Sequence, residues 1–163
     1  MYMKELINSS KKEYGPDYQN HLLAQYQSYC VSFDAAVNRR QDINRLFILL
    51  YTGIFSILGL LLQQTNNKMT HISLLLAVVI GFVVCYLHWK FLGMYKEVIG
   101  VKFDIITKME DNLPVSLYSQ ESNQIDSKLK KGKTFSDTEK SIPLVFGSIY
   151  LIVFVLIIFQ IFS

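Results

Sequence analysis

Cys85 and His88 stand three residues apart in one apolar run, which places a thiol and an imidazole on the same face of a helix. That spacing can hold a metal ion, but a structural zinc site needs four ligands and a catalytic one three. His21, His71 and Cys30 all lie in other regions of the chain. The pair therefore reads as a packing thiol and an imidazole at a membrane interface, with surface roles for His21 and His71. No metal or cofactor is expected. The sequence carries no glycine-rich phosphate loop, HExxH helix or nucleophile elbow. No catalytic residue is assigned, and the chain is not expected to be an enzyme.

The elements that position these residues are apolar. Three uninterrupted segments, Leu46–Leu62, Ile72–Gly93 and Pro143–Ser163, approach or exceed the ~18–20 residues a helix needs to cross a bilayer. A lone helix satisfies its own backbone in lipid, so the fold class is an all-α integral membrane protein with three transmembrane helices. The chain has 163 residues, too few for a membrane domain and a separate enzyme domain. The formal net charge of +3 matters less than its placement. Lysines and arginines precede the first span and crowd the connection from Met94 to Ile142, whereas the short connection Gln63–His71 carries only Lys68. Positive flanks stay inside, so a cytoplasmic N-terminus and an external C-terminus are expected. Residues 1–14 are polar, so the first span serves as an uncleaved anchor. Cys30 in the cytoplasm and Cys85 in the membrane are structural thiols and no disulfide is expected.

The helices run beyond the spans. Leu22, Tyr26, Tyr29, Phe33 and Ala36 recur in steps of four and three, the seam of a packed helix. A helix from about Pro16 to Gln63 would be roughly 70 Å long, half of it cytoplasmic. After the second span Met94, Val98, Val101, Ile105 and Met109 continue a similar seam until Leu113-Pro114. The expected organisation is a flexible N-terminus (1–15), a cytoplasmic helix continuous with the first span (16–63), an external turn (64–71), a second span continuous with a cytoplasmic helix (72–113), a cytoplasmic connection (114–142) and a third span (143–163). The first two spans and their extensions form a long antiparallel helical hairpin. Within the connection, Ser136-Asp-Thr-Glu139 matches a capping box, and a short interfacial helix is expected near 137–142, bent into the membrane before Pro143. The third span is apolar all round, as suits the helix most exposed to lipid.

The spans contain no Asp or Glu, which argues against a proton-coupled pump. Thr52, Ser56, Gly59 and Gln63 share one face of the first span. Ser73, Ala77, Gly81, Cys85 and His88 share one face of the second. Small, weakly polar stripes let helices pack closely; the alternative is that they line a pore shared between subunits. Arg39, Arg40 and Arg45, with Lys128, Lys130, Lys131 and Lys133, flank the membrane and set topology, and could also hold anionic lipid headgroups. Nucleic-acid binding is not expected, because these charges sit at the membrane boundary.

Several islands resemble the RipA family of bacterial membrane proteins: Gln25-Tyr26-Gln27-Ser28-Tyr29-Cys30-Val31, Asn38-Arg39-Arg40, Asn44-Arg45-Leu46-Phe47, Met94-Tyr95-Lys96, Lys102-Phe103-Asp104-Ile105-Ile106, Glu110-Asp111-Asn112-Leu113-Pro114 and Thr138-Glu139-Lys140-Ser141-Ile142-Pro143. The resemblance covers about Leu22–Phe146 and departs at Gly100, where a polar residue such as Asn is expected, and at Ser28 and Cys30 beside Tyr29. It implies an octamer of the bacterial cytoplasmic (inner) membrane with no enzymatic reaction. Tyr26, Tyr29, Asn38, Arg39, Arg40, Asn44, Lys102, Asp104 and Glu110 are then candidate assembly contacts. The expected function is a membrane scaffold or pore-forming assembly. The alternative is an anchored interaction module or effector whose cytoplasmic helices dock a protein partner, as in two-span effectors of bacterial conflict systems.

Overall fold

A computed structural model of the protein describes residues 6, 9, 11–63, 68–128 and 135–162. The described residues are helical throughout their regular structure: α1 (Lys11–Tyr14), α2 (Tyr18–Leu62), α3 (Lys68–Glu110), α4 (Leu117–Lys128) and α5 (Phe135–Phe162). Three of these helices are long and apolar enough to cross a membrane. The expected external turn falls on residues 64–71, of which 64–67 lie outside the described residues, as do most of the residues before α1 and Ser163.

Local chemistry sets the helix ends. Gly15, at φ 94°, takes the left-handed conformation that closes α1, with its N–H 3.3 Å from the Lys11 carbonyl. Pro16 and Asp17 follow, and the His21 N–H reaches the Asp17 carbonyl at 3.0 Å to open α2. At the end of α3, Asn112 and Leu113 close back on Met109 and Glu110 at 3.1 and 3.0 Å before Pro114. The connection after Pro114 holds α4. The short, bent helix expected near 137–142 does not form separately: α5 runs from Phe135 with Pro143 inside it. Ser136 is therefore within a helix and not at its cap. A membrane helix tolerates an interior proline; Pro143 leaves the Glu139 carbonyl without its usual donor, and one residue earlier the Ser141 hydroxyl donates to the Thr138 carbonyl at 2.6 Å.

The chain divides into two compact units. The first comprises Met1–Arg39 with Tyr95–Gly132. In it α2 pairs with α3, and α4 folds back so that Phe33, Phe103 and Tyr118 form a three-ring cluster, with centroids 5.9 to 6.5 Å apart. Ala36, Ile106 and Met109 are buried beside it. Lys102 crosses the helix pair, donating to the Ser32 hydroxyl at 2.6 Å and lying 4.9 Å from the Tyr29 ring.

Glu110 organises the end of this unit. Its carboxylate accepts the backbone N–H groups of Tyr118 and Ser119 at 2.8 and 3.0 Å, the Ser119 hydroxyl at 2.9 Å and the Tyr26 hydroxyl at 3.1 Å. The last residue of α3 thus caps α4, whose first N–H groups have no partner inside the helix. Burial alone would raise the Glu110 pKa, but these four bonds outweigh it and hold it below the ordinary 4.5. Burial, and then the bond to Glu110, hold the Tyr26 phenol above its usual range. A carboxylate depressed in the folded state stabilises above its unfolded pKa and loses that effect as the pH falls through the folded value. Glu110→Ala is expected to cost about 1–3 kcal/mol by leaving buried donors unpaired. The advantage of wild type over Glu110→Gln, read as a thermal midpoint by circular dichroism, should be full at pH 7 and shrink below pH 4.5. A difference independent of pH would contradict this role.

The second unit comprises Arg40–Met94 with Lys133–Ser163 and contains the three apolar segments. Its core is Phe47, Tyr51 and Leu58 of α2, Leu74, Val78 and Cys85 of α3, and Tyr150 and Ile157 of α5. These recur at steps of four and seven along their helices, the pattern of one inward face. One side of the apolar third span is turned inward: Tyr150 and Ile157 are fully buried. The interior is filled by stacked rings, Tyr51 on Phe146 at 4.2 Å and Phe55 on Tyr150 at 4.8 Å.

Candidate functional site

One layer of the second unit gathers polar side chains around a fully buried histidine. Arg40, Asn44, Phe47 and Tyr51 follow one another on α2 at steps of four, three and four and so share a face. Across from them on α3, His88 is 0% exposed. The Tyr51 hydroxyl donates to His88 Nδ1 at 3.0 Å, and His88 Nε2–H donates to Asn44 Oδ1 at 3.0 Å. A neutral imidazole with its proton on Nε2 satisfies both bonds. Phe47 stacks flat on the ring, 4.4 Å away with an interplanar angle of 7°. His88 is therefore fully enclosed by the side chains of its own unit. Its partners are on another helix, not its neighbour Cys85.

Beside this layer, Arg40 forms a partly buried ion pair with Glu139 of α5. Lys140, one residue on, lies over the Trp89 ring at 5.6 Å. Polar contacts thus tie α2 to both α3 and α5, which in an apolar medium fixes helix rotation more effectively than alkyl packing, because unpaired polar groups are costly there. No group of three or more His, Cys, Asp or Glu side chains suited to a metal occurs among the described residues.

The two small-residue stripes differ. Gly81 and Cys85 face the interior, and a Cβ on Gly81 would come within 2.6–2.8 Å of the Tyr150 ring. That stripe makes room for α5 within the same subunit, while Ser73 lies outside it, exposed, with its hydroxyl bonded to the Met69 carbonyl at 3.0 Å. Ala77 is half-buried between the two. On α2, by contrast, Thr52, Ser56, Gly59 and Gln63 are all exposed. The Thr52 and Ser56 hydroxyls donate to the carbonyls four residues back at 2.9 Å, and no side chain approaches Gly59. The protomer leaves this weakly polar face uncovered.

The candidate assembly residues also separate. Tyr26 and Glu110 bond each other, Arg40 pairs with Glu139, and Asn44 bonds His88. Tyr29 and Lys102 meet each other. Asn38, Arg39 and Asp104 remain exposed. The first unit also has an open cleft of about 790 Å³, lined by Tyr14, Tyr18, His21, Gln25, Tyr29 and Met109 among others. Its Tyr14 hydroxyl bonds the His21 ring at 2.8 Å. The residues that sequence spacing did not single out are Phe47, Tyr51 and Tyr150, while Glu139, read as part of a capping box, pairs with Arg40 instead. The regular step from Arg40 through Tyr51 was the visible signal for the first two.

Residues 23–159 match the family described as the octameric membrane protein family (8xMP). No curated protein and no solved structure matches the chain.

Proposed function

The chain belongs to the octameric membrane protein family, and from that premise we propose that it is a non-enzymatic, pore-forming homo-oligomer of the bacterial inner membrane. In this reading the N-terminus is cytoplasmic and the C-terminus external, as the positive flanks of the spans favour. The observation that carries it is the uncovered Thr52–Ser56–Gly59–Gln63 face. The interior of the second unit is closed by stacked aromatic rings, so a passage through one protomer has no space. A passage between protomers needs a continuous, weakly polar helix face that the protomer does not use. The α2 face meets that need, and the four-residue hydroxyl bonds leave each oxygen able to accept another donor. Asn38, Arg39 and Asp104 supply exposed charge and amide groups for contacts between neighbouring subunits. The test is planar-bilayer recording: discrete currents from the wild-type oligomer, and none from Thr52→Leu/Ser56→Leu/Gln63→Leu.

The cleft in the first unit supports a second reading, an anchored module whose cytoplasmic helices receive a protein partner. Gln25, Ser28 and Tyr29 line it, on the first of the helices read as cytoplasmic. That reading requires no current from an intact oligomer.

A further inference from the structure

A second concave surface lies in the membrane-crossing unit. It is a groove of about 360 Å³ between α3 and α5, with Phe82, Tyr86 and Trp89 on one side and Leu144, Gly147 and Leu151 on the other. It extends roughly 12 Å along α5 at 1.5 Å per residue. Its walls are almost wholly apolar, and the one serine in it, Ser148, returns its hydroxyl to the Leu144 carbonyl at 2.9 Å. The other polar atoms of the lining, the Tyr86 hydroxyl, the Trp89 indole N–H and the Cys85 thiol, belong to otherwise apolar side chains. Left empty, its lining would lose dispersion contacts on one side.

The end of the groove is charged. Lys140 sits over Trp89, which is itself a groove residue. The neighbouring carboxylate of Glu139 is engaged by Arg40, and no carboxylate pairs with Lys140 among the described residues. Lys90 adds a second, exposed cation next to Trp89. A tryptophan with lysines at the end of a membrane helix marks the headgroup level.

We propose that this groove seats an acyl chain of an anionic phospholipid, with the phosphate held at Lys140. An apolar slot opening at a positive, interfacial end matches the two halves of such a lipid. None of the lining residues comes from α2; that the groove faces the bilayer and not the shared axis rests on the α2-lined passage proposed above. The lipid readout involves no current, so either idea can fail without the other.

The experiment is native mass spectrometry of the purified oligomer with equal phosphatidylglycerol and phosphatidylcholine. Wild type should retain phosphatidylglycerol preferentially. Lys140→Gln should reduce that preference about five-fold, the equivalent of the ~1 kcal/mol a basic residue contributes at a lipid surface. Gly147→Leu should lower retention of both lipids, because a Cβ at Gly147 fits at 4.0 Å from Cys85 and only the longer side chain fills the groove. A photoreactive Leu151→p-benzoylphenylalanine should crosslink to lipid. Equal retention of the two lipids, or a preference unmoved in Lys140→Gln, would overturn the proposal. Crosslinking of position 151 to a neighbouring subunit would also overturn it, and would assign the groove to a second copy of the chain.

Discussion

Gly81→Leu is expected to abolish the stable oligomer, and Gly81→Ala to lower its stability by about 1–3 kcal/mol, the usual range for overpacking a filled interior. The reason is geometric. A methyl group at Gly81 meets three carbons of the Tyr150 ring below 3.0 Å. That ring cannot retreat, because it is fully buried and stacked on Phe55 with an interplanar angle of 3°. The comparison that isolates the cause is Gly100→Ala. Nothing lies within 4 Å of a Cβ there, and replacing an interior helical glycine should stabilise by about 0.5–1 kcal/mol. Thermal stability of the detergent-purified oligomer, followed by size-exclusion chromatography, reads both. Equal behaviour of the two alanine variants would remove the close approach of α3 and α5 from the account.

The second large effect belongs to His88. His88→Ala should cost on the order of 3 kcal/mol, because it opens a cavity under Phe47 and leaves the Tyr51 hydroxyl and the Asn44 amide without their partner. His88→Phe separates the two contributions. It keeps a stacked ring and removes both hydrogen bonds, and should cost about 1–2 kcal/mol, since single hydrogen bonds between membrane helices are individually modest. The remainder, about 1–2 kcal/mol, is the cavity's share. Tyr51→Phe combined with His88→Phe should cost less than the sum of the single changes, because the same bond is lost in both. Strict additivity in the same stability assay would contradict a shared bond.

These two sites show what the sequence makes legible and what it does not. The three spans, the hairpin seams and the face carrying Thr52 are properties of spacing along one helix, and spacing can be read directly. The partner of a buried side chain depends on how two helices are rotated against each other. Tyr51 and His88 are 37 residues apart, and Arg40 and Glu139 are 99 apart. Neither separation carries a local signal. Gly81 shows the same boundary: its smallness suggests a close helix contact, but only the fold shows that Tyr150 fills the space. The apolar run of α5 carries no local mark of its inward side; only the fold shows that Phe146 and Tyr150 stack against Tyr51 and Phe55 of α2. In the first unit, Glu110 is a candidate assembly contact through the family resemblance, and nothing local announces its partners within the protomer. The return of α4 makes it an internal cap.

The most direct test of the central claim is the current carried by the purified oligomer in a planar bilayer, recorded for wild type and for Thr52→Leu/Ser56→Leu/Gln63→Leu after both are shown to have the same mass. A passage lined by the uncovered face of α2 gives discrete wild-type currents that the leucine variant lacks. Wild-type currents that persist unchanged in the variant, or a silent wild-type oligomer of full mass, would contradict it.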